Sequence, residues 1–325
     1  MNYLNNLQKT SFADSQTRNY STRTILDDRW AIILAGGDGS RLLPLTRKIT
    51  GDERPKQFCR IIGKGTLLDE TRQRVAGTFP ATKTMFVLTE KHKRFYDDIL
   101  TGVPGKNLVV QPENAGTAPA ILYSLLRLER SDPAALVAFF PSDHYFSDNR
   151  AFMSEVEYAF DCARSLRDSI ILLGIEPDSP DEEYGWIEPN PAFSLGETMG
   201  VSPVRRFWEK PTRAIAAQLI KQGCLWNSFV MVGTVFSFLR MIRLATPELY
   251  MKFAAVRSEL GTPGEEEVVR NLYAGLSESN FSKDVLATRA TDLAVVRVRS
   301  SKWSDLGSPF RVLSTLSKIG APAGA

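Results

Sequence analysis

The stretch that decides the fold is "WAIILAGGDGSRLLPLTRKITGDERPKQF", residues 30–58. Its first residues are apolar and suited to a buried strand. The next four, "GGDG" (36–39), carry almost no side chain, Arg41 follows at once, and Lys56 comes fifteen positions after it. A strand that leaves through a glycine-rich turn and immediately supplies positive charge suits an anion, such as a phosphate chain lying on exposed backbone N–H groups. Two familiar phosphate patterns do not fit. A P-loop requires Lys-Ser/Thr after its glycines, and "GGDGSRLLPL" has none. The dinucleotide fingerprint has its first half in Gly37 and Gly39, but Leu42 stands where the third glycine belongs. A glycine turn alone also serves as a tight βα connection.

Outward from that turn, short apolar runs alternate with helical patterns. "AIILA" (31–35), "TMFVLT" (84–89), "NLVVQP" (107–112), "ALVAFFP" (135–141) and "SIILLGI" (169–175) read as strands. "TLLDETRQRV" (66–75) reads as a helix with Thr66 as N-cap and Asp69 three residues later. "GTAPAILYSLLRLER" (116–130) has Pro119 in its first turn, and 151–166 is amphipathic. This alternation predicts an α/β three-layer αβα sandwich around a mainly parallel, Rossmann-like sheet. Beyond residue 184 the pattern shifts: strands at 204–211, 228–233 and 292–300 are interleaved with a helix closed by Gly223, helices over 234–276, and a final helix. One domain is expected over 30–325, preceded by a mobile tail over 1–29 rich in Asn, Ser, Thr and Gln.

Composition narrows the function classes. Among 325 residues, 40 basic side chains nearly balance 37 acidic ones, and no basic block is long enough for a nucleic-acid stripe. No apolar run approaches the roughly 18–20 residues of a membrane span. Cys59, Cys162 and Cys224 are far apart, which disfavours a disulfide framework or zinc cluster and fits a reducing cytoplasm. With only His92 and His144, a histidine-built metal site is nearly excluded.

Asp143 stands just past the carboxyl end of the apolar strand 135–140, the edge where ligands sit in open α/β sheets. Asp305 follows the last strand in the same way. Each would serve equally as a turn or helix cap. Two such carboxylates near a polyphosphate suit Mg²⁺, which takes oxygen ligands and keeps waters.

Seven further segments occur in a familiar order: "PKQF" (55–58), "NAGTAPAI" (114–121), "PSDH" (141–144), "YGWI" (184–187), "FWEKP" (207–211), "WNS" (226–228) and "WSDLG" (303–307). With "LAGGDGSRLLPLT", the chain resembles the sugar-1-phosphate nucleotidyltransferases, nearest to their mannose-1-phosphate guanylyltransferase branch. The resemblance implies a fold of the nucleotide-diphospho-sugar transferase type and Mg²⁺-dependent transfer of GMP from GTP to mannose 1-phosphate, with pyrophosphate released. It implies Arg41 and Lys56 on the triphosphate and Lys210 on the sugar phosphate. Leu34, Ala35, Gly36, Gly37, Gly39 and Ser40, with Gln111, Gly116 and Thr117, would bind the nucleotide. Tyr184, Gly185, Glu209 and Asn227 would bind the sugar, and Asp143 and Asp305 the metal. Trp186 and Trp226 read as wall or core, and His144 as a structural neighbour rather than a ligand. A homo-oligomer is compatible with the resemblance; a nucleic-acid or membrane partner is not implied.

The sequence departs from the family pattern in three places. The loop "RKITGDER" (47–54) is longer than the usual spacer before "PKQF", the segment "FSKDVLA" (281–287) stands where a "DYAVME"-like one is common, and transferase activity is expected without the C-terminal isomerase domain of many bacterial relatives. Other readings are a nucleotidyltransferase for another nucleotide and sugar phosphate, a non-catalytic relative that binds nucleotide sugar, and a nicotinamide-linked oxidoreductase, which the missing third glycine disfavours.

Overall fold

A computed structural model describes residues 28–190 and 200–320. Nine strands form one mixed sheet: β1 (Arg29–Leu34), β2 (Thr84–Thr89), β3 (Leu108–Gln111), β4 (Leu136–Pro141), β6 (Ile170–Ile175), β7 (Gly185–Pro189), β8 (Val201–Glu209), β9 (Leu225–Thr234) and β10 (Leu293–Val298). They lie in the order β3-β2-β1-β4-β9-β6-β10-β8-β7, and β7 also pairs with β9. Two short strands, β5 (Tyr145–Phe146) and β11 (Trp303–Ser304), pair separately and antiparallel. The helices are α1 (Leu43–Thr50), α2 (Leu67–Ala76), α3 (Lys93–Tyr96), α4 (Thr117–Ser131), α5 (Asn149–Ser165), α6 (Arg213–Lys221), α7 (Val235–Ala245), α8 (Pro247–Ala255), α9 (Glu265–Tyr273) and α10 (Pro309–Lys318).

The α/β three-layer expectation holds because the apolar strands alternate between two cores. Ile32, Val137 and Phe139 face the layer of α4, α7, α8 and α9. Ala31, Ile33, Ala138 and Phe140 face α2, α3, α5 and α6. A side-chain period of two thus buries both faces. The four-strand block β3-β2-β1-β4 is parallel, as is the pair β6–β10. Strand β9 runs antiparallel between β4 and β6, so parallel pairing is confined to these blocks. Because β9 begins where its neighbours end, Asn227 lies opposite Gly174, near the carboxyl end of β6. The carboxyl edge therefore collects residues from both halves of the chain.

A smaller cluster of Leu42, Cys59, Ile61, Leu67, Leu306, Val312 and Leu316 ties the segment after β1 to α10. Of the stretch expected as a tail, Arg29 opens β1, and the Asp28 carbonyl accepts from the Leu136 N–H. The rest of that tail, with residues 321–325, lies outside the described residues. Among the described residues, no helix is long and apolar enough to cross a membrane. Cys59, Cys162 and Cys224 are buried free thiols.

The capping box anticipated at Thr66 is formed. The Asp69 N–H donates to Thr66 Oγ1 at 3.1 Å, and the Thr66 N–H donates to Asp69 Oδ2 at 3.0 Å. Thr66→Ala should lower unfolding free energy by about 1 kcal/mol, read as a drop in the urea midpoint with the slope unchanged.

Candidate active site

A cavity of about 400 Å³ opens at the carboxyl edge of the sheet. It shares Gly39, Asp143 and Asp305 with a second cavity of about 330 Å³, lined also by Ser40, Arg41 and Lys56. The glycine turn forms the wall of both. Its carbonyls are held from behind: Gln57 Nε2 donates to the carbonyls of Ala35 at 3.1 Å and Gly37 at 2.7 Å, and Thr89 Oγ1 donates to that of Gly36 at 2.7 Å. The N–H groups of Gly36, Gly37, Asp38 and Gly39 have no acceptor among the described residues. Four consecutive unspent donors at a cavity wall form an anion-binding concavity. Gly36 must be glycine, since a Cβ there would stand 2.7 Å from Gln111 Nε2 and 3.0 Å from Thr89 Oγ1. Gly39 has a left-handed φ of 60°. Asp38 is anchored by Lys91, by His92 Nε2 at 3.3 Å and by Asn114 Nδ2 at 2.9 Å. Leu34, Gly36, Gly37 and Gly39 line the larger cavity, while Ala35 is buried and donates its N–H to Val87.

Charged groups meet where the two cavities join. Lys56 Nζ lies 3.2 Å from Asp143 Oδ2 and donates to the Asp305 carbonyl at 2.5 Å and the Leu306 carbonyl at 3.3 Å. The longer loop before it thus still delivers Lys56 to the cleft. Asp305 Oδ1 accepts from the Tyr184 hydroxyl at 3.1 Å and the Gly307 N–H at 2.9 Å. Arg311 donates to both Asp305 oxygens, at 3.2 and 3.1 Å, and through its other nitrogen to both Asp181 oxygens at 2.6 Å. Burial works against the Asp305 charge, but Arg311 and Lys56 more than offset it and hold its carboxyl below the usual carboxylate range. Arg311 lines neither cavity and so supports Asp305 from behind. Arg41 pairs with Glu183 from the segment before β7.

His144 is half-buried and, beside Asp143, lines both cavities. Its Nδ1 accepts from Trp303 Nε1 at 3.2 Å, its Nε2 is 3.9 Å from Asp143 Oδ1, and burial pushes its pKa down to about 4. Trp186 and Trp226 are core: Trp186 meets Trp226 edge to face, and Trp226 is tilted against Tyr184, which with Trp303 lines the larger cavity.

Tyr184, Gly185, Glu209 and Asn227 line one side of the larger cavity. Gly185 has no room for a side chain, with Phe207 Cζ 2.8 Å from where a Cβ would sit. Burial raises the Glu209 pKa, opposed by Lys210. Lys210 itself is exposed, lines neither cavity, and takes a left-handed φ of 47° before Pro211. Of the sequence-assigned cations it is the one not brought to the cleft wall.

Gln111, Gly116 and Thr117 line the opposite part of the same cavity. Thr117 is the first residue of α4 and does not cap it; its hydroxyl accepts the Phe281 N–H at 2.8 Å. The sequence reading passed over Gln57, Asp181, Glu183, Glu278, Asn280 and Arg311. Gln57 sits inside the quoted "PKQF" motif and was the one with a signal.

The family model described as nucleotidyl transferase matches residues 30–319. The xanthan biosynthesis protein XanB of Xanthomonas campestris is 30% identical over 287 residues, covering 87% of this chain and 58% of its own. The mannose-1-phosphate guanylyltransferase RfbM of Salmonella typhimurium is 29% identical over 286 residues, covering 85% of this chain and 56% of its own. The chain thus spans less than two thirds of the length of these relatives. A solved Thermus thermophilus structure described as mannose-1-phosphate geranyltransferase superposes with a TM-score of 0.73 at 26% identity, over 86% of this chain and 76% of that one. The three-layer fold is therefore that of the nucleotide-diphospho-sugar transferases.

Two outcomes are expected from this geometry. Gln57→Leu should free the turn carbonyls and lower affinity for polyphosphate ligands by roughly 10-fold, for two neutral hydrogen bonds lost, measured by titration calorimetry. His144 binds a proton more readily unfolded, near pH 6.5, than folded, near pH 4. Stability should therefore fall as pH drops from 6.5 to 4, by up to roughly 3 kcal/mol. His144→Asn should flatten that part of the curve in urea melts taken at each pH.

Proposed function

The chain belongs to the nucleotidyl transferase family, and from that premise we propose that it transfers GMP from GTP to mannose 1-phosphate, releasing pyrophosphate. The observation that carries the reading is the run of four unspent N–H donors facing a cleft in which Arg41, Lys56, Asp143 and Asp305 converge. The relative named as a mannose-1-phosphate guanylyltransferase supports the choice of nucleotide and sugar.

The attacking group is a phosphate oxygen of the sugar phosphate, already anionic near neutral pH, so the chain needs no general base. That agrees with His144, which lines the cleft but is neutral near pH 7, with its Nδ1 accepting from Trp303. What the chain must supply is positioning and positive charge for two polyanions. The turn N–H groups and Arg41 take the triphosphate, and Lys56 sits at the junction where the bond to the leaving pyrophosphate breaks. Glu209, Asn227 and the Tyr184–Gly185 segment orient the sugar. Lys210 would have to swing in from outside the wall to reach the sugar phosphate.

Asp143 and Asp305 fit Mg²⁺ by their donor chemistry. Among the described residues, Asp143 Oδ1 accepts no hydrogen bond and lies 3.9 Å from His144 Nε2, and Asp305 Oδ2 accepts from Arg311. Two carboxylate oxygens completed by phosphates and water are a usual magnesium set. When bound there, the ion would neutralise charge on the phosphates. The reaction belongs to a reducing cytoplasm, where the three buried thiols stay reduced.

The test is pyrophosphate release across GTP, dTTP, UTP, ATP and CTP against mannose, glucose and other hexose 1-phosphates. Release confined to GTP with mannose 1-phosphate, and reduced on the order of 10²-fold or more by Asp143→Asn, is expected. Release with another pair would move the assignment to that pair, and nucleotide binding without release under any pair would sink the transferase reading.

A further inference from the structure

On the reading that this cleft holds a guanine nucleotide, we propose that Glu278 and Asn280 recognise the base edge and select guanine. The phosphate-directed groups Arg41, Ser40 and Lys56 line the smaller cavity. Gln111, Gly116, Glu278 and Asn280 line only the larger one, which leaves that end for the base.

The side chains that would first be credited with reading a base there already carry hydrogen bonds within the protein. Gln111 is 1% exposed; its Nε2 donates to the Leu88 carbonyl at 3.3 Å and its Oε1 accepts from the Tyr273 hydroxyl at 3.1 Å. Asn114 donates to Asp38 and accepts the Gly116 N–H. The Thr117 hydroxyl accepts the Phe281 N–H. Glu278, by contrast, has no hydrogen bond or ion pair among the described residues. Asn280 Oδ1 accepts the Lys283 N–H at 3.0 Å, which fixes its amide with the NH₂ group unspent.

This pair is also held in place. The Ser279 N–H donates to the Ala115 carbonyl at 3.0 Å, and the Ala118 N–H donates to the Ser279 carbonyl at 3.1 Å. A Cβ on Gly116 would lie 2.3 Å from that same carbonyl oxygen. Asp284 accepts from the Ser279 hydroxyl at 2.8 Å and the Asn280 N–H at 2.9 Å. The segment is thereby pinned against the turn that leads into α4, with Asn280 extended and two residues from Glu278.

Glu278 and Asn280 are exposed at the mouth of the larger cavity, so the carboxylate and the amide are both open to an incoming base edge. Guanine offers N1–H and N2–H₂ to a carboxylate and O6 to an amide NH₂. Adenine sets its N1 acceptor against the carboxylate, and uracil and thymine place O2 there. Hypoxanthine keeps O6 and N1–H but lacks the N2 amine, so ITP isolates one hydrogen bond.

The experiment is titration calorimetry of GTP and ITP with the full chain and two variants, with the KM for mannose 1-phosphate measured alongside. The unaltered protein should bind GTP roughly 10- to 100-fold more tightly than ITP, for one hydrogen bond to a charged acceptor. Glu278→Gln should bring that ratio near one. Asn280→Asp, which keeps the acceptor that caps the following turn, should weaken GTP and ITP together. A GTP-to-ITP ratio unchanged in Glu278→Gln overturns the proposal and leaves the transferase reading intact. A raised KM for mannose 1-phosphate with the ratio intact overturns it in favour of a sugar contact. Absence of any guanine preference in the unaltered protein overturns this proposal and the guanylyl assignment together.

Discussion

The cleft hangs on the carbonyl side of one turn. Gln57 and Thr89 take the three carbonyls of residues 35–37 from the sheet side. A peptide plane whose C=O is held one way has its N–H directed the other. Leaving a buried donor unpaired costs about 1–3 kcal/mol, so four unpaired donors in a row persist only where water or a ligand meets them. Gly36 makes this arrangement sterically possible, because Gln111 and Thr89 fill the space a side chain would need. The glycines and the glutamine of "PKQF" are thus one device, although twenty residues separate them in the chain.

Charge in the cleft is balanced in layers. Lys56 and Arg311 face Asp143, Asp305 and Asp181, leaving this cluster one negative charge in excess. Arg311 cancels Asp181 and steadies Asp305 from outside the cavity, while Lys56 is divided between a carboxylate and two carbonyls. Bringing a polyanion to such a cluster is favourable only together with a cation, which is the balance that an α-phosphate accompanied by a divalent ion would satisfy.

Much of the fold was legible because it depends on local patterns. The continuous apolar runs of β1 and β4, buried on both faces, and the Thr66–Asp69 box need only their own neighbours in sequence. The direction of β9 was not legible: an apolar strand such as 225–234 carries no mark of whether it runs with or against β4, and that choice is made by connections across the whole sheet. The site was legible wherever a backbone geometry demanded a residue type, as at Gly36, Gly39 and Gly185. Partners supplied from far away were not. Arg311 reaches Asp181 across 130 positions and Glu183 reaches Arg41 across 142, and no spacing rule links them. Lys210 is the opposite case: its motif is intact, yet the residue is exposed and lines neither cavity.

The two cations at the turn are not equivalent. Arg41 and Glu183 are 60% and 54% exposed, and an ion pair so open to water is worth about 0–1 kcal/mol. Lys56 is only 11% exposed and has three oxygen partners within 3.3 Å, so moving it would strand Asp143 and two carbonyls. On the proposed function, an incoming triphosphate would take Arg41 from Glu183 at little cost and would meet Lys56 where it stands. Arg41 would then be the mobile contact that captures the polyanion, and Lys56 the fixed reference for the reacting phosphate, held in place by Asp143 and the two carbonyls.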